Sequence, residues 1–214
     1  MKNSAPKTAL ITGATSGIGK ATAQLFAAQG VHLILCGRRV DRLHDLSQEL
    51  SPQTKVHTLR FDVRNQDDVF TAIGQLPEAF QQIDILINNA GNAHGLDTIQ
   101  EGSLSDWDAM MDINVKGLLY VTKAVLPTML KRGSGHIINI GSTAGKEVYP
   151  KGNVYCASKH AVDALNVGMR IDLNGKGIKV GAIHPGLVAT EFSEVRFKGD
   201  HERAEKVYQG YTPL

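Results

Sequence analysis

Residues 8–19 read TALITGATSGIG, an apolar run that passes directly into a glycine-rich turn. The apolar part, Thr8–Thr12, has the length and composition of a buried strand. Gly13, Gly17 and Gly19 then open a helical pattern. Small residues let the backbone approach a ligand closely, and the first turn of a helix offers free N–H groups and a positive dipole end. The stretch therefore predicts a strand, a turn and a helix that can hold a pyrophosphate.

The glycine spacing leaves a second interpretation open. It is G-x-x-x-G-x-G, which differs from the common G-x-G-x-x-G dinucleotide fingerprint. A tight turn with no ligand would need the same glycines. In the ligand-binding interpretation, the other residues of the turn that contact the cofactor are Thr15, Ser16 and Ile18.

Strand-like and helical patterns alternate along the rest of the chain. This alternation is typical of an α/β fold, a doubly wound parallel sheet with Rossmann-type topology. No repeat or linker interrupts it, so residues 1–214 are predicted to form a single domain. The predicted strands are Thr8–Thr12, His32–Cys36, Val56–Phe61, Ile83–Ile87, His136–Ile140 and Ile178–Ile183. The predicted helices are Gly17–Gln29, Asp41–Leu50, Asp67–Leu76, Leu104–Lys131 and Tyr155–Leu173.

The composition argues against several classes of protein. The formal net charge is +2 and no run of Lys or Arg resembles a nucleic-acid-binding arm, so we expect no nucleic-acid partner. No apolar run reaches membrane-spanning length, which predicts no membrane partner. Cys36 and Cys156 are the two cysteines of the chain, which favours a reducing cytoplasm over a disulfide framework. The eight histidines lack the spacing of metal ligands, so we predict no metal.

The end of the second predicted strand indicates which dinucleotide the turn would bind. In dinucleotide-binding folds, an acidic residue after this strand binds a hydroxyl of the adenine ribose, whereas a basic residue there accommodates a 2′-phosphate. Here the strand is followed by Arg38 and Arg39, and a guanidinium can bind a phosphate through two parallel hydrogen bonds. We therefore expect NADP, with two solvated loop arginines as the alternative. Asp62 and Val63, after the third strand, are expected near the adenine, and Asp62 is also placed to cap the next helix.

Tyr155 and Lys159 lie four residues apart, with Ser142 upstream. One helical turn separates Tyr155 from Lys159, so both can face one cleft. A phenol titrates near ~10, and we expect the ammonium to lower the pKa of Tyr155. Tyr155 would then exchange a proton with a carbinol oxygen that Ser142 hydrogen-bonds. Considered singly, Tyr155 could be a packing residue, Lys159 a solvated charge and Ser142 an ordinary loop hydroxyl. Together the three residues indicate a nicotinamide-dependent alcohol dehydrogenase or carbonyl reductase that acts on a small-molecule substrate.

The chain carries, in this order, the motifs Thr12-Gly13-x-x-x-Gly17-Ile18-Gly19, Asn88-Asn89-Ala90-Gly91, Asn114, Ser142, Tyr155-x-x-x-Lys159 and Pro185-Gly186. This order resembles that of the short-chain dehydrogenases/reductases over essentially the whole chain. Residues 135–145 and 191–200 are most similar to the NADP-dependent 3-hydroxy acid dehydrogenases, which oxidise serine and L-allo-threonine. Members of the family usually continue with a further helix and a final strand, which we expect this chain to lack.

The resemblance implies further roles. Asn114 would bend its helix and hold a water that relays protons to Lys159, which would also bind the nicotinamide ribose. The loop after residues 185–190, up to Gly210 and including Tyr208, is expected to form a lid over the substrate. The other residues expected to hold the cofactor are Asn89, Ala90, Gly91, Pro185, Gly186, Val188 and Thr190.

Arg196, on the predicted lid, is expected to bind a substrate carboxylate. A solvated arginine paired with Glu191 or Glu194 is the alternative, and Lys146 and Lys198 are reserve candidates. The function expected is therefore NADP-linked oxidation of a small 3-hydroxy acid such as serine, L-allo-threonine or 3-hydroxypropionate.

Two other functions stay open: a 3-oxoacyl or general carbonyl reductase, and a catalytically silent nucleotide-sensing protein. The intact catalytic set argues against the silent protein. Related chains pair long helices across two-fold axes, so we also expect a homotetramer. The apolar residues assigned to that pairing are Leu118, Leu119, Val125, Ala161, Ala164 and Leu165.

Overall fold

The computed structural model describes residues 6–207, 210 and 212–213. Within them, six parallel strands form one sheet in the order β3-β2-β1-β4-β5-β6. Because the strand order reverses between β1 and β4, a crevice opens at the carboxyl ends of these two strands. The predicted doubly wound parallel sheet is confirmed. The strands are β1 (Thr8–Thr12), β2 (His32–Gly37), β3 (Val56–Arg60), β4 (Ile85–Asn88), β5 (Gly135–Ile140) and β6 (Ile178–Ile183).

Helices cover both faces of the sheet. Two hydrophobic clusters accordingly lie one on each face of the sheet and contain Leu10 and Ile11 of β1 respectively, and a third, smaller cluster includes Tyr155 and Cys156. This burial explains why β1 carries no apolar–polar alternation. The helices are α1 (Gly17–Ala28), α2 (Val40–Leu50), α3 (Gln66–Gly74), α4 (Leu104–Met111), α5 (Leu118–Arg132), α6 (Asn153–Asp172), α7 (Phe192–Arg196) and α8 (His201–Lys206).

The long helix predicted over Leu104–Lys131 is divided in the structure. A π-helical turn at Asp112–Gly117 separates α4 from α5. Leu118 and Val125 are only 6% and 0% exposed and pack in the core of the chain itself, so their assignment to a subunit interface is wrong. Leu119 is 37% exposed and lies on the outer face of α5.

The predicted lid begins with the two short helices α7 and α8 rather than with an irregular loop. Tyr208, which the sequence assigned to this lid, lies outside the described residues. Throughout the described part of the chain, no helix combines the length and apolar character needed to cross a bilayer.

Candidate active site

A cleft of about 940 Å³ opens at the carboxyl ends of the strands. It is bordered at one end by the arginines after β2 and at the other by Tyr155 and Lys159. Two predicted site residues, Gly19 and Asn114, are absent from its described lining and lie behind it. The predicted residues that line the cleft are Gly13, Thr15, Ser16, Gly17, Ile18, Arg38, Arg39, Asp62, Val63, Asn89, Ala90, Gly91, Ser142, Tyr155, Lys159, Pro185, Gly186, Val188, Thr190 and Arg196.

The glycines of the turn are required by close packing. A Cβ at Gly19 would collide with the Gly13 carbonyl oxygen, so Gly19 allows the turn to fold against α1. Gly17 has a φ of +51°, and a Cβ there would lie 3.0 Å from Cγ2 of Thr190. Among the described residues, Ser16 at the N-cap of α1 makes no side-chain cap hydrogen bond. The start of α1 is therefore free of a side-chain cap, which suits an anion such as a pyrophosphate.

Asn89 fixes the turn to the end of β4. Its Nδ2 donates to the carbonyl oxygens of Thr12, at 2.9 Å, and Gly13, at 3.1 Å. The Thr12 hydroxyl accepts from the backbone N–H groups of Asn89 and Ala90. The Asn89 side chain thus holds the backbone that would face the cofactor, a role that the sequence pattern did not indicate.

Arg39 links the glycine-rich turn to the lid. Its Nη2 donates to the Thr15 hydroxyl at 2.9 Å and to the Ser16 hydroxyl at 2.8 Å. Its Nη1 donates to Oε2 of Glu191 at 2.8 Å, and Arg42 donates to the other oxygen of the same carboxylate. Sequence reasoning missed Arg42 and this role of Glu191. The spacing of Arg39 and Arg42 could have suggested that both lie on one side of α2, but their partner is about 150 residues away.

Asp62 is paired with arginines and does not cap α3. Its Oδ2 lies 2.7 Å from Arg64 and 3.5 Å from Arg38. These contacts hold the pKa of the Asp62 carboxyl below its usual range, against the opposing effect of burial. Asn65 is the residue whose side chain caps α3, so the capping role predicted for Asp62 is wrong.

Ser142 and Tyr155 lie close together at the far end of the cleft. The Ser142 hydroxyl also accepts from the backbone N–H of Ala144 at 3.1 Å, which orients it. Burial raises the pKa of Tyr155 to about 12, although the Ser142 hydrogen bond and the charge of Arg196 oppose that rise. Tyr155 is therefore a neutral phenol that can donate a proton.

Lys159 does not lower the pKa of Tyr155 in this structure, contrary to the expectation from the sequence. Its Nζ donates to the Ile140 carbonyl at 3.0 Å, and burial lowers its pKa to about 8. The amine is consequently neutral at the pH where the buried phenol would ionise, so it provides no charge to favour the phenolate. No carboxylate in the described part of the chain pairs with Lys159.

Asn114 lies at the π-helical turn and fixes the backbone near Lys159. Its Oδ1 accepts from the N–H of Asn92 and its Nδ2 donates to the carbonyl of the same residue, both at 2.9 Å. A Cβ at Gly91 would lie 3.1 Å from Oδ1 of Asn114 and 3.5 Å from Nζ of Lys159. Gly91 thus leaves space between these two side chains, and the water relay through Asn114 stays a prediction.

Arg196 is buried beside Tyr155, although it was predicted to lie on a lid. Its Nε donates to the Gly95 carbonyl at 2.8 Å and its Nη1 to the Tyr149 hydroxyl at 3.1 Å. The guanidinium carbon lies 5.7 Å from the centre of the Tyr155 ring. Among the described residues, no carboxylate pairs with Arg196.

The alternative in which Arg196 is a solvated arginine paired with Glu191 or Glu194 is wrong for the described residues, because both carboxylates have other partners. Glu191 is held by Arg39 and Arg42, and Glu194 lies 3.6 Å from His201. The reserve candidates are also neutralised: Lys146 is 2.7 Å from Asp163, and Lys198 is 3.0 Å from Asp106. Of the arginine and lysines considered for binding a substrate carboxylate, Arg196 is therefore the one without a carboxylate partner in the described part of the chain.

Metal ligands do not gather in this site. Among the described residues, no group of three or more His, Cys, Asp and Glu side chains could hold a metal ion.

Replacing Lys159 with methionine is expected to stabilise the protein at neutral pH, by on the order of 2 kcal/mol, because it removes a buried charge. The pKa of Lys159 is lowered from 10.5 to about 8 on folding. The unfolded chain therefore binds more protons between these pH values, so the wild type gains stability as the pH rises through that window. Denaturant unfolding of both proteins from pH 7 to pH 10.5 tests this.

The control for this experiment is Lys131→Met, which changes an exposed lysine. It should have little effect on the free energy of unfolding at any of these pH values. A Lys159→Met protein whose advantage over the wild type does not shrink as the pH rises would contradict the lowered pKa.

Comparison with known proteins gives a consistent picture. A family profile described as "short chain dehydrogenase" matches residues 7–201. The chain is 47% identical to sulfoacetaldehyde reductase 2 of Chromohalobacter salexigens and 48% identical to the NADP-dependent 3-hydroxy acid dehydrogenase YdfG of Salmonella typhimurium. Both alignments cover 96% of this chain and 82% of the relative.

Solved structures resemble the fold closely. A closed form of serine dehydrogenase complexed with NADP+ superimposes with a TM-score of 0.91 at 47% identity, over 96% of this chain and 82% of that one. A serine dehydrogenase from Escherichia coli gives a TM-score of 0.80 at 41% identity, over 94% of this chain and 89% of that one.

Proposed function

The chain belongs to the short-chain dehydrogenase family, and from that premise we propose that it is an oxidoreductase that transfers a hydride between NADP(H) and the CH–OH carbon of a small 3-hydroxy acid. The observation that carries the proposal is the position of Arg196. A buried guanidinium with no carboxylate partner among the described residues lies beside the proton-donating Tyr155. Such a cation suits a substrate whose anionic group is a short distance from the reacting carbon.

The cleft offers contacts for NADP along its length. The uncapped start of α1 suits the pyrophosphate, and Arg38 and Arg39 suit the 2′-phosphate. When bound, NADP supplies the hydride acceptor for oxidation or, as NADPH, the donor for reduction. The residues proposed to contact it are Gly13, Thr15, Ser16, Gly17, Ile18, Arg38, Arg39, Asp62, Val63, Ala90, Gly91, Tyr155, Lys159, Pro185, Gly186, Val188 and Thr190.

Tyr155 and Ser142 perform the proton chemistry at the substrate oxygen. In the direction of reduction, the neutral phenol donates its proton to the oxygen as the carbinol forms. Ser142 hydrogen-bonds the same oxygen and stabilises the negative charge that builds there. In oxidation Tyr155 must first lose its proton, and Lys159 can favour this only while its amine is charged.

Two kinds of relative suggest which anionic group the substrate carries. One relative is a 3-hydroxy acid dehydrogenase and another a sulfoacetaldehyde reductase, and both names denote substrates with an acid group near the reacting carbon. A guanidinium can bind a carboxylate or a sulfonate. A 3-hydroxy acid is our first proposal, and a small sulfonated aldehyde is the second.

Arg196→Ala is expected to lower kcat/KM for serine, 3-hydroxypropionate or sulfoacetaldehyde by at least about tenfold, which is ~1.4 kcal/mol. The guanidinium that pairs with the acid group would be lost, whereas a neutral alcohol or ketone of similar size has no such group. Steady-state assays with acidic and neutral substrates measure the two effects side by side.

The control variant is Arg203→Ala, which removes an arginine on α8 that stacks on Phe197. It should leave the ratio between acidic and neutral substrates unchanged. An equal loss for both substrate types in Arg196→Ala would reduce this residue to a structural part of the site. A wild-type enzyme indifferent to acid groups would favour a 3-oxoacyl or general carbonyl reductase.

A homotetramer is proposed for the assembled enzyme. The proposal is supported by exposed apolar side chains on α4, α5 and α6. Among them, Leu104 is 71% exposed, Leu119 is 37% exposed and Ile171 is 70% exposed. Multi-angle light scattering at micromolar concentration is expected to give four times the mass of the chain. A monomer mass would contradict the assembly without bearing on the chemistry.

We also propose that the protein works in the cytoplasm. Cys36 and Cys156 are free thiols, and both are buried. Free cysteines of this kind are usual in reducing compartments.

A further inference from the structure

The carboxylate of Glu191 occupies the arginine site at the mouth of the cleft. Its two oxygens accept hydrogen bonds from different arginines, Arg39 at 2.8 Å and Arg42. Glu191 lines the cleft together with Arg38 and Arg39. A carboxylate of the chain itself is therefore held by a guanidinium that the proposed function assigns to the 2′-phosphate.

Arg39 has little hydrogen-bonding capacity left for another anion. Its Nε and Nη2 donate to the hydroxyls of Thr15 and Ser16, and its Nη1 donates to Glu191. A phosphate can bind Arg39 through the forked geometry only if one of these partners leaves. Glu191 is the partner with the same charge as a phosphate, so it is the one that the phosphate replaces.

The pairs that hold Glu191 are weak enough to be exchanged. The side chains of Glu191, Arg39 and Arg42 are 37%, 41% and 46% exposed, so water screens their attraction. A phosphate monoester carries more negative charge than a carboxylate and has more acceptor oxygens. The phosphate can therefore displace Glu191 from Arg39, after which Arg42 remains as a partner of the Glu191 carboxylate.

Glu191 also connects the arginine site to the proposed substrate pocket through α7. It is the N-cap residue of α7, and its carbonyl accepts from the N–H of Val195 at 3.0 Å. The next residue of the helix is Arg196, beside Tyr155. Glu191 and Arg196 therefore lie at opposite ends of one single-turn helix, which links the arginine site to the end of the cleft that contains Tyr155.

Resting on the proposed use of NADP, we infer that Glu191 is a specificity-determining residue that competes with the 2′-phosphate for Arg39 and couples its binding to α7. The carboxylate acts as an internal counterion when no phosphate is present. Phosphate binding releases the carboxylate from Arg39, although not from Arg42, and loosens the start of α7. A cofactor without the 2′-phosphate leaves the Arg39–Glu191 contact in place.

The experiment compares adenosine 2′,5′-diphosphate with 5′-AMP, which lacks the 2′-phosphate. Isothermal titration calorimetry of Glu191→Gln should show about threefold to fivefold tighter binding of the diphosphate than the wild type, as expected for an exposed ion pair, and little change for 5′-AMP. Hydrogen exchange of the amides at 192–197 supplies a readout that is independent of activity. In the wild type it should rise with the diphosphate and stay unchanged with 5′-AMP.

Glu194→Gln is the matched control, because it removes the same charge three residues further along α7 from a side chain that is 51% exposed. It should leave the affinity for the diphosphate nearly unchanged, which separates direct competition from a general effect of charge. Equal or weaker diphosphate binding in Glu191→Gln, while the wild type still prefers the diphosphate to 5′-AMP, would overturn the inference and leave NADP use intact. A wild type without that preference would instead overturn the proposed cofactor.

Discussion

Replacing Tyr155 with phenylalanine is expected to lower kcat by about a hundredfold to ten-thousandfold, the range that general acid–base catalysis contributes. The phenol lies beside Ser142, and burial raises its pKa to about 12, which keeps it protonated until the reacting oxygen takes the proton. Phenylalanine keeps the ring but has no proton to exchange. Stopped-flow and steady-state assays of NADPH oxidation measure the loss.

Binding of NADPH should change little in this variant, because the dinucleotide makes most of its proposed contacts elsewhere in the cleft. Tyr120→Phe is the control: it removes a phenol from α5, outside the described lining of the cleft, and should leave kcat near the wild-type value. Substantial residual turnover in Tyr155→Phe would mean that another group transfers the proton.

Replacing both Arg38 and Arg39 with alanine is expected to weaken NADPH relative to NADH by about two orders of magnitude, since a hydrogen bond to a charged group contributes about 1.5–3 kcal/mol. Arg39 also binds Thr15 and Ser16, so part of the loss will fall on both cofactors. The ratio of the two dissociation constants is therefore the quantity to measure, by fluorescence titration.

Arg60→Ala provides the control for this pair, because Arg60 is an exposed arginine at the end of β3 that is not among the described residues lining the cleft. Arg60→Ala should alter neither the dissociation constant of NADPH nor that of NADH. Equal losses of NADPH and NADH in the double variant would show that Arg38 and Arg39 do not meet the 2′-phosphate.

The sheet could be predicted from the sequence because each strand is a short apolar run followed by a helical pattern. The π-helical turn at Asp112–Gly117 could not, since one extra residue in a turn scarcely changes the apolar period of a long helix. α7 and α8 were missed because helices of five and six residues are too short to show a period.

The residues that form the candidate site were easier to predict from the sequence than their pKa values and ion pairs. The carboxyl ends of parallel strands meet at one edge, so motifs that follow the strands gather there. The pKa of Tyr155 was predicted in the wrong direction because burial, which a sequence does not reveal, outweighs its neighbours. The bridge from Glu191 to Arg39 and Arg42 joins charges from distant segments, and the choice of partner depends on the folded geometry.

The most direct test is to mix the purified protein with NADP+ and 3-hydroxypropionate, L-allo-threonine or serine, and to follow the absorbance of NADPH as it forms. We expect turnover with at least one acid, much slower turnover with NAD+, and almost none in Tyr155→Phe. A protein that binds NADPH but turns over neither these acids nor sulfoacetaldehyde nor neutral carbonyl compounds would contradict hydride transfer and would favour a catalytically silent nucleotide-binding protein.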